Sequence, residues 1–242
     1  MTLASSEPDC TVFDLGPEAY ARWRASEIGT TTDRLERALI LELVGDVSGC
    51  KILDVGCGDG ELAVELVKRG AIVTGIDGSA AMIEAAKKRA QQHDVEIAFQ
   101  LARAESLPFP SAQFDCVTAI TILCFGEDPA PVFPEIARVL RPGGRFIIGE
   151  LGKWSTWAAA RRVRAWLGSK LWRLARFRTV KELRRCAEQA GLTVERVRGA
   201  IFYPRVTLAA RMLSQLDPAL GRHLTVGAAF LALLASKPRA ET

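Results

Sequence analysis

The sequence predicts an α/β fold whose doubly wound sheet has seven strands, mostly parallel, with an antiparallel last strand. From Lys51 onward, short runs rich in Val and Ile alternate with helical patterns, as in βαβ units. A glycine-rich turn follows the first of these runs directly. The last two runs have no crossover helix predicted between them, so the final strand should run opposite to the others.

Each run and each helical pattern can be placed by residue number. The candidate strands are 51–55, 71–76, 95–101, 114–120, 144–150, 192–198 and 227–235. The candidate helices are 17–26, 32–44, 60–69, 79–92, 130–140 and 180–190. Thr179 and Glu182 predict a capping box at the start of the last helix, and Gly191 predicts a left-handed residue at its end. This order is that of a Rossmann-like sheet with a helical cap and lid.

These patterns divide the chain into four parts. Residues 1–50 form an N-terminal helical cap, and residues 51–152 form an α/β core that carries the glycine turn. Residues 153–178 are a basic, Trp-rich lid insertion, and residues 179–242 return to the core with one helix and the last two strands. Ligands of such sheets bind beyond the carboxyl ends of the parallel strands, so we expect the site there.

Composition indicates a globular protein. Of 242 residues, 49% are hydrophobic and 25% are charged, which is enough to bury a substantial core. The first ten residues lack a secretory signal pattern, and the apolar run 226–236 is shorter than the roughly 20 residues that span a bilayer. The six cysteines form no C-x-x-C pair and no ligand spacing with the two histidines. We therefore expect reduced thiols, no metal site and a cytoplasmic location.

The glycine turn 56–60 follows the strand that ends at Val55. Glycine lets the backbone approach a ligand without a Cβ in the way. A dinucleotide fingerprint would place its third glycine at position 61, but this residue is Glu61. Asp54 lies two positions before the first glycine, where a carboxylate disfavours a pyrophosphate and favours an ammonium group. Both observations argue against a nicotinamide oxidoreductase.

Asp77 follows the second strand, where a carboxylate can accept both hydroxyls of a ribose. Together with Asp54 and the glycine turn, it calls for a ligand with a ribose, an ammonium group and little phosphate. S-adenosylmethionine fits this description and NAD does not.

Four motifs occur in a telling order: LDVGCGDG (53–60), GIDGSAAM (75–82), ARAESLPFPSAQFDCV (102–117) and EIARVLRPGGRFIIGE (135–150). They closely resemble the class I S-adenosylmethionine-dependent methyltransferases, in particular the group that includes ubiquinone and menaquinone biosynthesis enzymes and other small-molecule methyltransferases. The resemblance covers residues 51–150 and, less closely, 179–198; residues 19–37 resemble that group's N-terminal cap.

The resemblance implies binding roles on the methionine side of the cofactor. Gly56, Cys57 and Gly58 would present backbone to the methionine moiety, with Asp54 near its ammonium group. Tyr20 would close over the methionine end.

On the adenosine side, the resemblance implies that Asp77 takes the ribose diol. Gly78, Ser79 and Met82 would flank the adenosine, with Met82 on the adenine face, and the Ala104 N–H would contact the adenine edge.

Ile120 and Thr121 would pass beneath the sulfonium, but two features depart from the family pattern. Arg103 stands where the family often has the aspartate that binds the adenine amino group. Either Glu105 or a backbone carbonyl substitutes, or Arg103 faces outward. The sequence after the fourth strand also lacks the histidines that quinone-pathway relatives often carry.

Candidates for a general base are few. His93 lies on the far side of the predicted sheet, whereas His223 lies in the long connection between the last two strands, which returns over the active face. His223, with Tyr203, is the catalytic candidate that the sequence offers.

The lid insertion is unusually basic. Residues 153–185 carry eleven Lys or Arg and one acid, a net charge of +10, which leaves −6 for the rest of a chain whose total is +4. Gly168-Ser169 should split the lid into two helices, and its apolar residues recur at helical spacing at Val163, Trp166, Leu167, Leu171 and Leu174.

Three interpretations of the lid remain open. Its apolar stripe packs on the core with solvated arginines, or it lies on anionic lipid as a peripheral membrane contact. Alternatively, some arginines point inward to an anionic group of the substrate. Nucleic acid is disfavoured, because the rest of the chain is acidic and no known binding module is present.

The sequence therefore predicts a methyltransferase that uses S-adenosylmethionine and acts by in-line displacement on a small-molecule or lipid-like acceptor. Two alternatives are a non-catalytic protein that binds S-adenosylmethionine, with Arg103 weakening the site, and a membrane-surface methyltransferase for a quinone or phospholipid. The acceptor and the oligomeric state are not encoded in any recognisable motif.

Overall fold

The computed structural model describes residues 22–124 and 129–239. Its seven strands form one sheet in the order β3-β2-β1-β4-β5-β7-β6. Their bounds are Lys51–Val55 (β1), Ile72–Asp77 (β2), Ala98–Leu101 (β3), Phe114–Ile120 (β4), Leu140–Leu151 (β5), Thr193–Ala200 (β6) and Phe230–Ser236 (β7).

Helices flank the sheet on both faces. Their bounds are Glu27–Val44 (α1), Glu61–Lys68 (α2), Ala80–Gln92 (α3), Val132–Val139 (α4), Thr156–Trp166 (α5), Lys170–Leu174 (α6), Val180–Gln189 (α7), Thr207–Leu213 (α8) and Asp217–His223 (α9). None of the helices in the described part of the chain is long and apolar enough to cross a membrane.

The sheet confirms the predicted fold class. Strands β1 to β5 pair in parallel, and β7 pairs antiparallel with both β5 and β6. The expectation that no helix joins the last two strands is wrong, since α8 and α9 lie in that connection. Strand β7 is nevertheless antiparallel, because the chain leaves and re-enters the sheet at the same edge.

Successive residues of the central strands pack on opposite faces of the sheet. Ile52 belongs to the core cluster that includes residues of α1, whereas Leu53 and Val55 belong to the cluster that includes residues of α4 and α7. Burial on both faces is what a parallel sheet covered by helices requires. This arrangement leaves the strand ends as the place for a ligand.

Local signals set several element ends. Ser26 caps α1 by accepting a hydrogen bond from the Gly29 N–H at 3.1 Å, so this helix begins earlier than the predicted residue 32. The predicted capping box of Thr179 and Glu182 is present, and Gly191 has a φ of +78°. Of the predicted helix 17–26, residues 17–21 lie outside the described part of the chain, and residues 22–25 are helical.

The lid splits into α5 and α6 as predicted, with Gly168 between them at a φ of +99°. The interpretation that its apolar stripe packs on the core is wrong for Val163, Trp166, Leu167 and Leu174, all of which are exposed. The lid is instead anchored through Trp157, which is buried and donates from Nε1 to the Tyr203 carbonyl at 2.8 Å.

Candidate functional site

The glycine turn lies between β1 and α2 at the carboxyl edge of the sheet. Gly56, Gly58 and Gly60 have φ values of +69°, +53° and +79°, a region that favours glycine. A Cβ on Gly58 would meet no atom within 4 Å, so open space faces this residue. The Cys57 N–H donates to the Ile76 carbonyl at 2.8 Å and fastens the turn to β2. The turn thus offers bare backbone to a ligand.

Asp54 is buried beside this turn with half of its carboxylate unused. Its Oδ1 accepts a hydrogen bond from the Thr118 hydroxyl at 2.7 Å, whereas Oδ2 has no partner among the described residues. Burial raises the pKa of Asp54 to about 7, opposed by the Thr118 hydrogen bond. A buried acceptor without a partner is costly unless a ligand supplies a donor. An ammonium group would supply both the donor and the charge.

Asp77, at the end of β2, accepts the Gly58 N–H at 2.9 Å on one carboxylate oxygen and the Ser79 N–H at 2.8 Å on the other. Each oxygen keeps a further lone pair, so both can accept a ribose hydroxyl. Burial raises the pKa of Asp77, and its backbone hydrogen bonds oppose that rise. Ser79 also caps α3, with the Met82 N–H donating to its Oγ at 3.4 Å. At the same edge of the sheet, Gly78 is exposed and Met82 is partly exposed.

Arg103 faces the solvent, as one of the three sequence alternatives requires. It forms an ion pair with Glu105, with 3.4 Å between Nε and Oε2. Ala104 lies between these two residues in a short turn, since Arg103 and Ser106 form an isolated bridge. Arg103 therefore directs no positive charge into the crevice.

The segment after β4 is held in an unusual backbone conformation. Thr121 has a φ of +56°, which is strained for a β-branched residue, and its N–H donates to the Gly149 carbonyl at 2.7 Å. The buried Glu150 carboxylate accepts the Leu123 N–H at 2.7 Å, and Cys124 donates from Sγ to the Thr121 carbonyl at 2.9 Å. Strain that is held by several bonds is typical of functional loops, so this segment, which continues from Ile120, suits the floor of a site.

Sequence reasoning missed the ion pairs that close the amino-terminal side. Asp59 of the glycine turn pairs with Arg24 and with Arg89, the latter at 2.6 Å. Glu61 pairs with Arg24 and with Arg37 of α1, the latter at 2.5 Å. Arg24 and α1 are thereby fastened to the turn. The acidic residues on either side of Gly60 could have indicated ion pairs at this turn, but no local pattern in the sequence indicates their partners.

The structure does not bring the two catalytic candidates together. The Tyr203 side chain is fully buried, its hydroxyl lies 3.1 Å from the Thr32 hydroxyl, and burial raises the pKa of its phenol to about 12. His223 is exposed at the end of α9. Tyr203 thus occupies a structural position between the lid and α1, and His223 faces the solvent. Tyr20 lies outside the described residues.

Two further charged groups, Glu36 of α1 and Arg161 of α5, influence each other's ionisation. Burial of its carboxyl raises the pKa of Glu36 to about 8, with Arg161 the main opposing charge. Arg161 stacks between Trp157 and Trp172, with its guanidinium carbon 5.3 Å and 4.7 Å from the two ring centroids. Burial lowers the pKa of Arg161 to about 10, and the charge of Glu36 opposes this change.

Comparisons with known proteins agree with this geometry. Residues 53–148 match the model of a family described as a methyltransferase domain. A ubiquinone biosynthesis O-methyltransferase of Coxiella burnetii is 32% identical over 163 residues, which is 65% of this chain and 70% of that protein. The 27-O-demethylrifamycin SV methyltransferase of Amycolatopsis mediterranei is 41% identical over 122 residues, 49% of this chain. That second match spans only 43% of the relative's length.

A solved structure has the same fold over nearly the whole chain. It is that of an S-adenosylmethionine-dependent methyltransferase from Thermotoga maritima, described as a possible histamine N-methyltransferase. It matches with a TM-score of 0.67 and 24% identity, over 91% of this chain and 95% of that one. The order of motifs, the strand order and the match to the Coxiella protein lead to one conclusion. The chain belongs to the class I S-adenosylmethionine-dependent methyltransferase family.

Proposed function

We propose that this protein transfers the methyl group of S-adenosylmethionine to a small-molecule or lipid-like acceptor by in-line displacement. The observation that carries the proposal is the buried Oδ2 of Asp54 beside the glycine turn, which has no partner among the described residues. The sulfonium supplies an electrophilic methyl group; the acceptor attacks its carbon, the carbon–sulfur bond breaks, and its electron pair stays on sulfur. Positioning of the reacting atoms can contribute about 7–11 kcal/mol to such a reaction.

The proposal assigns the donor side of the site residue by residue. Gly56, Cys57, Gly58 and Asp54 would hold the methionine end, with Tyr20 above it. Asp77, Gly78, Ser79, Met82 and Ala104 would hold the adenosine, and Ile120 and Thr121 would lie beneath the reacting sulfur. Because Arg103 and Glu105 pair with each other, the Ala104 backbone is the group that we assign to the adenine edge. This assignment supports the division of the chain into four parts, with 51–152 as the donor-binding core and 153–178 as the lid.

On the acceptor side, Glu36 is a better base candidate than His223 or Tyr203. Thr32, one turn earlier on α1, forms a hydrogen bond with the Tyr203 hydroxyl. The Tyr203 carbonyl in turn accepts a hydrogen bond from Trp157 of the lid. Glu36 lies one turn after Thr32 and is half-buried, whereas Tyr203 is fully buried and His223 is exposed. A carboxylate with a pKa near the working pH can take the proton that a hydroxyl acceptor loses. Arg161 of the lid, whose charge opposes the rise of the Glu36 pKa, suits an anionic or carbonyl group of the same acceptor.

Replacement of Glu36 by glutamine should remove a pH-dependent part of the rate. Since the base must be ionised, the wild-type rate constant should rise with pH and level off above the Glu36 pKa of about 8. Burial is the main cause of this raised pKa, and the charges that modify it are Arg161 on α5 and Asp33 and Arg37 on α1. We expect Glu36→Gln to lower kcat about 100-fold and to flatten the profile. Asp33→Asn, on the same helix, is the matched control and should keep the rise with pH. A Glu36→Gln profile identical to the wild type would contradict the assignment.

Methyl transfer itself can be tested without knowledge of the acceptor. Purified protein would be incubated with isotopically labelled S-adenosylmethionine and fractionated cell extract, and the labelled product identified by mass spectrometry. We expect label in a small amphiphilic product. Titration of the protein with S-adenosylmethionine and S-adenosylhomocysteine separates the alternatives. Binding without transfer favours a non-catalytic protein, and binding of neither overturns the proposal.

The lid supports a second candidate, in which the enzyme meets its acceptor at a membrane surface through residues 153–178. Trp166 is 86% exposed and Leu167 is 71% exposed. Beside Trp166, a shallow cleft of about 450 Å³ is lined by Trp172, Phe177, Arg162 and Arg173 as well. Exposed tryptophans among arginines are typical of helices that lie on anionic lipid. Flotation with anionic vesicles at low and high salt tests this contact.

A further inference from the structure

A second apolar surface lies outside the lid, on the two helices that join β6 to β7. Exposed apolar side chains recur there at every fourth position: Leu208, Met212, Leu216, Leu220 and Leu224. We call these five residues the α8–α9 row. Leu208, Met212 and Leu216 are 65%, 69% and 57% exposed, far more than core positions of their size. Exposed large apolar residues grouped in this way indicate an interaction surface.

The opposite side of these helices is packed so closely that the row cannot turn inward. A Cβ on Gly221 would lie 2.0 Å from the Gly199 carbonyl oxygen, so α9 rests directly on the backbone of β6. The buried Asp217 carboxylate accepts the N–H groups of Ile201 and Phe202, each at 2.8 Å. Ala210 and Ser214 are buried on the same side. The row is therefore a fixed outward surface.

The row continues into the lid. Arg205, just before α8, has its guanidinium carbon 5.7 Å from the Trp157 ring centroid. Beyond α9, the Gly227 N–H donates to the Trp154 carbonyl at 2.9 Å, and both Trp154 and Val226 are exposed. The row and the lid thus belong to one continuous side of the molecule, at the carboxyl edge of the sheet where the candidate site lies.

Charge decides which partner fits this side. Within residues 204–226 the basic residues are Arg205, Arg211 and Arg222, and the single acid, Asp217, is buried. Arg211 pairs with Glu27, but the adjoining lid, residues 153–178, carries a net charge of +8. A second copy of this chain would bring like charges together, which costs free energy. An anionic lipid surface instead offers opposite charge at the headgroups and an apolar layer beneath them.

We propose that the α8–α9 row inserts into the interface of an anionic bilayer and holds the carboxyl edge of the sheet against the membrane. The helices lie in the plane of the interface, with the row toward the acyl chains and the surrounding arginines toward the headgroups. This binding does not depend on methyl transfer. It deepens the proposed function, because it would place the candidate site where a lipid-like acceptor is dissolved.

Flotation with defined vesicles tests the row. Wild-type protein would be mixed with vesicles of phosphatidylcholine containing one third phosphatidylglycerol, or of phosphatidylcholine alone. We expect wild type to float with the anionic vesicles at low salt, and Met212→Glu to reduce the partition coefficient about ten-fold. The matched control is Ile72→Glu, which adds the same charge at another exposed apolar position, on β2, and should change it less than about two-fold.

Two further measurements distinguish the proposed lipid contact of the row from lipid binding by the lid alone and from a protein dimer. If Trp166→Glu abolishes flotation and Met212→Glu does not, the lid alone binds lipid and the row proposal is overturned. If wild type fails to float with anionic vesicles, or if it is a dimer in light scattering that Met212→Glu dissociates, the row is not a lipid surface. Circular dichroism verifies that each variant is folded. Titration with S-adenosylmethionine should give wild-type affinity for all three variants, so a failure of the row remains distinct from a failure of the proposed function.

Discussion

Replacing Asp77 by alanine is expected to weaken the binding of S-adenosylmethionine by about 2–3 kcal/mol, roughly 30- to 150-fold in Kd. The carboxylate is buried, and each oxygen already accepts one backbone N–H, at Gly58 and at Ser79. A ribose diol would lose two charge-assisted hydrogen bonds, and the glycine turn would lose the Gly58 hydrogen bond while keeping that of Cys57 to Ile76. Isothermal titration with S-adenosylmethionine and S-adenosylhomocysteine measures the loss for both ligands.

Two further variants show whether the ribose is the cause. Asp77→Asn keeps one acceptor oxygen but no charge and should fall between wild type and Asp77→Ala. Glu84→Ala, at an exposed position on α3 where Glu84 pairs with Lys87, should leave the affinity unchanged. Unchanged affinity in Asp77→Ala would show that the ribose lies elsewhere.

Replacing Gly221 by alanine is expected to destabilise the protein by about 2–3 kcal/mol. Alanine is the better helix former by about 1 kcal/mol, so propensity alone predicts the opposite sign. The added Cβ, however, would lie 2.0 Å from the Gly199 carbonyl oxygen, and a contact with backbone cannot be relieved by rotating a side chain. Either α9 or β6 must move, which disturbs the Asp217 hydrogen bonds to residues 201 and 202.

Thermal unfolding followed by circular dichroism measures this effect. For a chain of 242 residues, such a loss corresponds to a Tm lower by about 4–12 °C. Ala219→Ser, at an exposed position on the same helix, is the control and should shift the Tm by no more than about 2 °C. A Gly221→Ala variant as stable as the wild type would mean that α9 does not rest on the β6 backbone.

The regular core was predictable from the sequence, because its signals are local. Strands 51–55 and 114–120 have their predicted bounds, and the helix after Thr179 has its predicted cap. Strand β5 begins at Leu140 rather than at 144, since Leu140 pairs with Phe114 across a register shift. No local pattern reveals that pairing, because it depends on a neighbouring strand.

The lid and the acceptor side were less predictable. Helical spacing of Val163, Trp166 and Leu167 correctly indicated a helix but not which side of it meets the core, because a stripe of apolar residues looks the same whether it is buried or exposed. Tyr203 is a plausible base until its hydroxyl is found beside Thr32, 171 positions away in the chain. Glu36 carried no sequence signal, since its raised pKa arises from burial that exists only in the folded chain.

The sequence by itself determined the α/β order, the glycine turn, and the positions of the two aspartates that we expect to favour a sulfonium nucleoside over a dinucleotide. These depend on backbone conformations and spacings set within a few residues, which the chain encodes locally. Only the tertiary structure decided that Asp54 keeps an oxygen without a partner among the described residues, that burial raises the pKa of Glu36, and that the α8–α9 row faces outward. Desolvation, charge pairing and exposure are set by segments that lie far apart in sequence and meet only when the chain is folded.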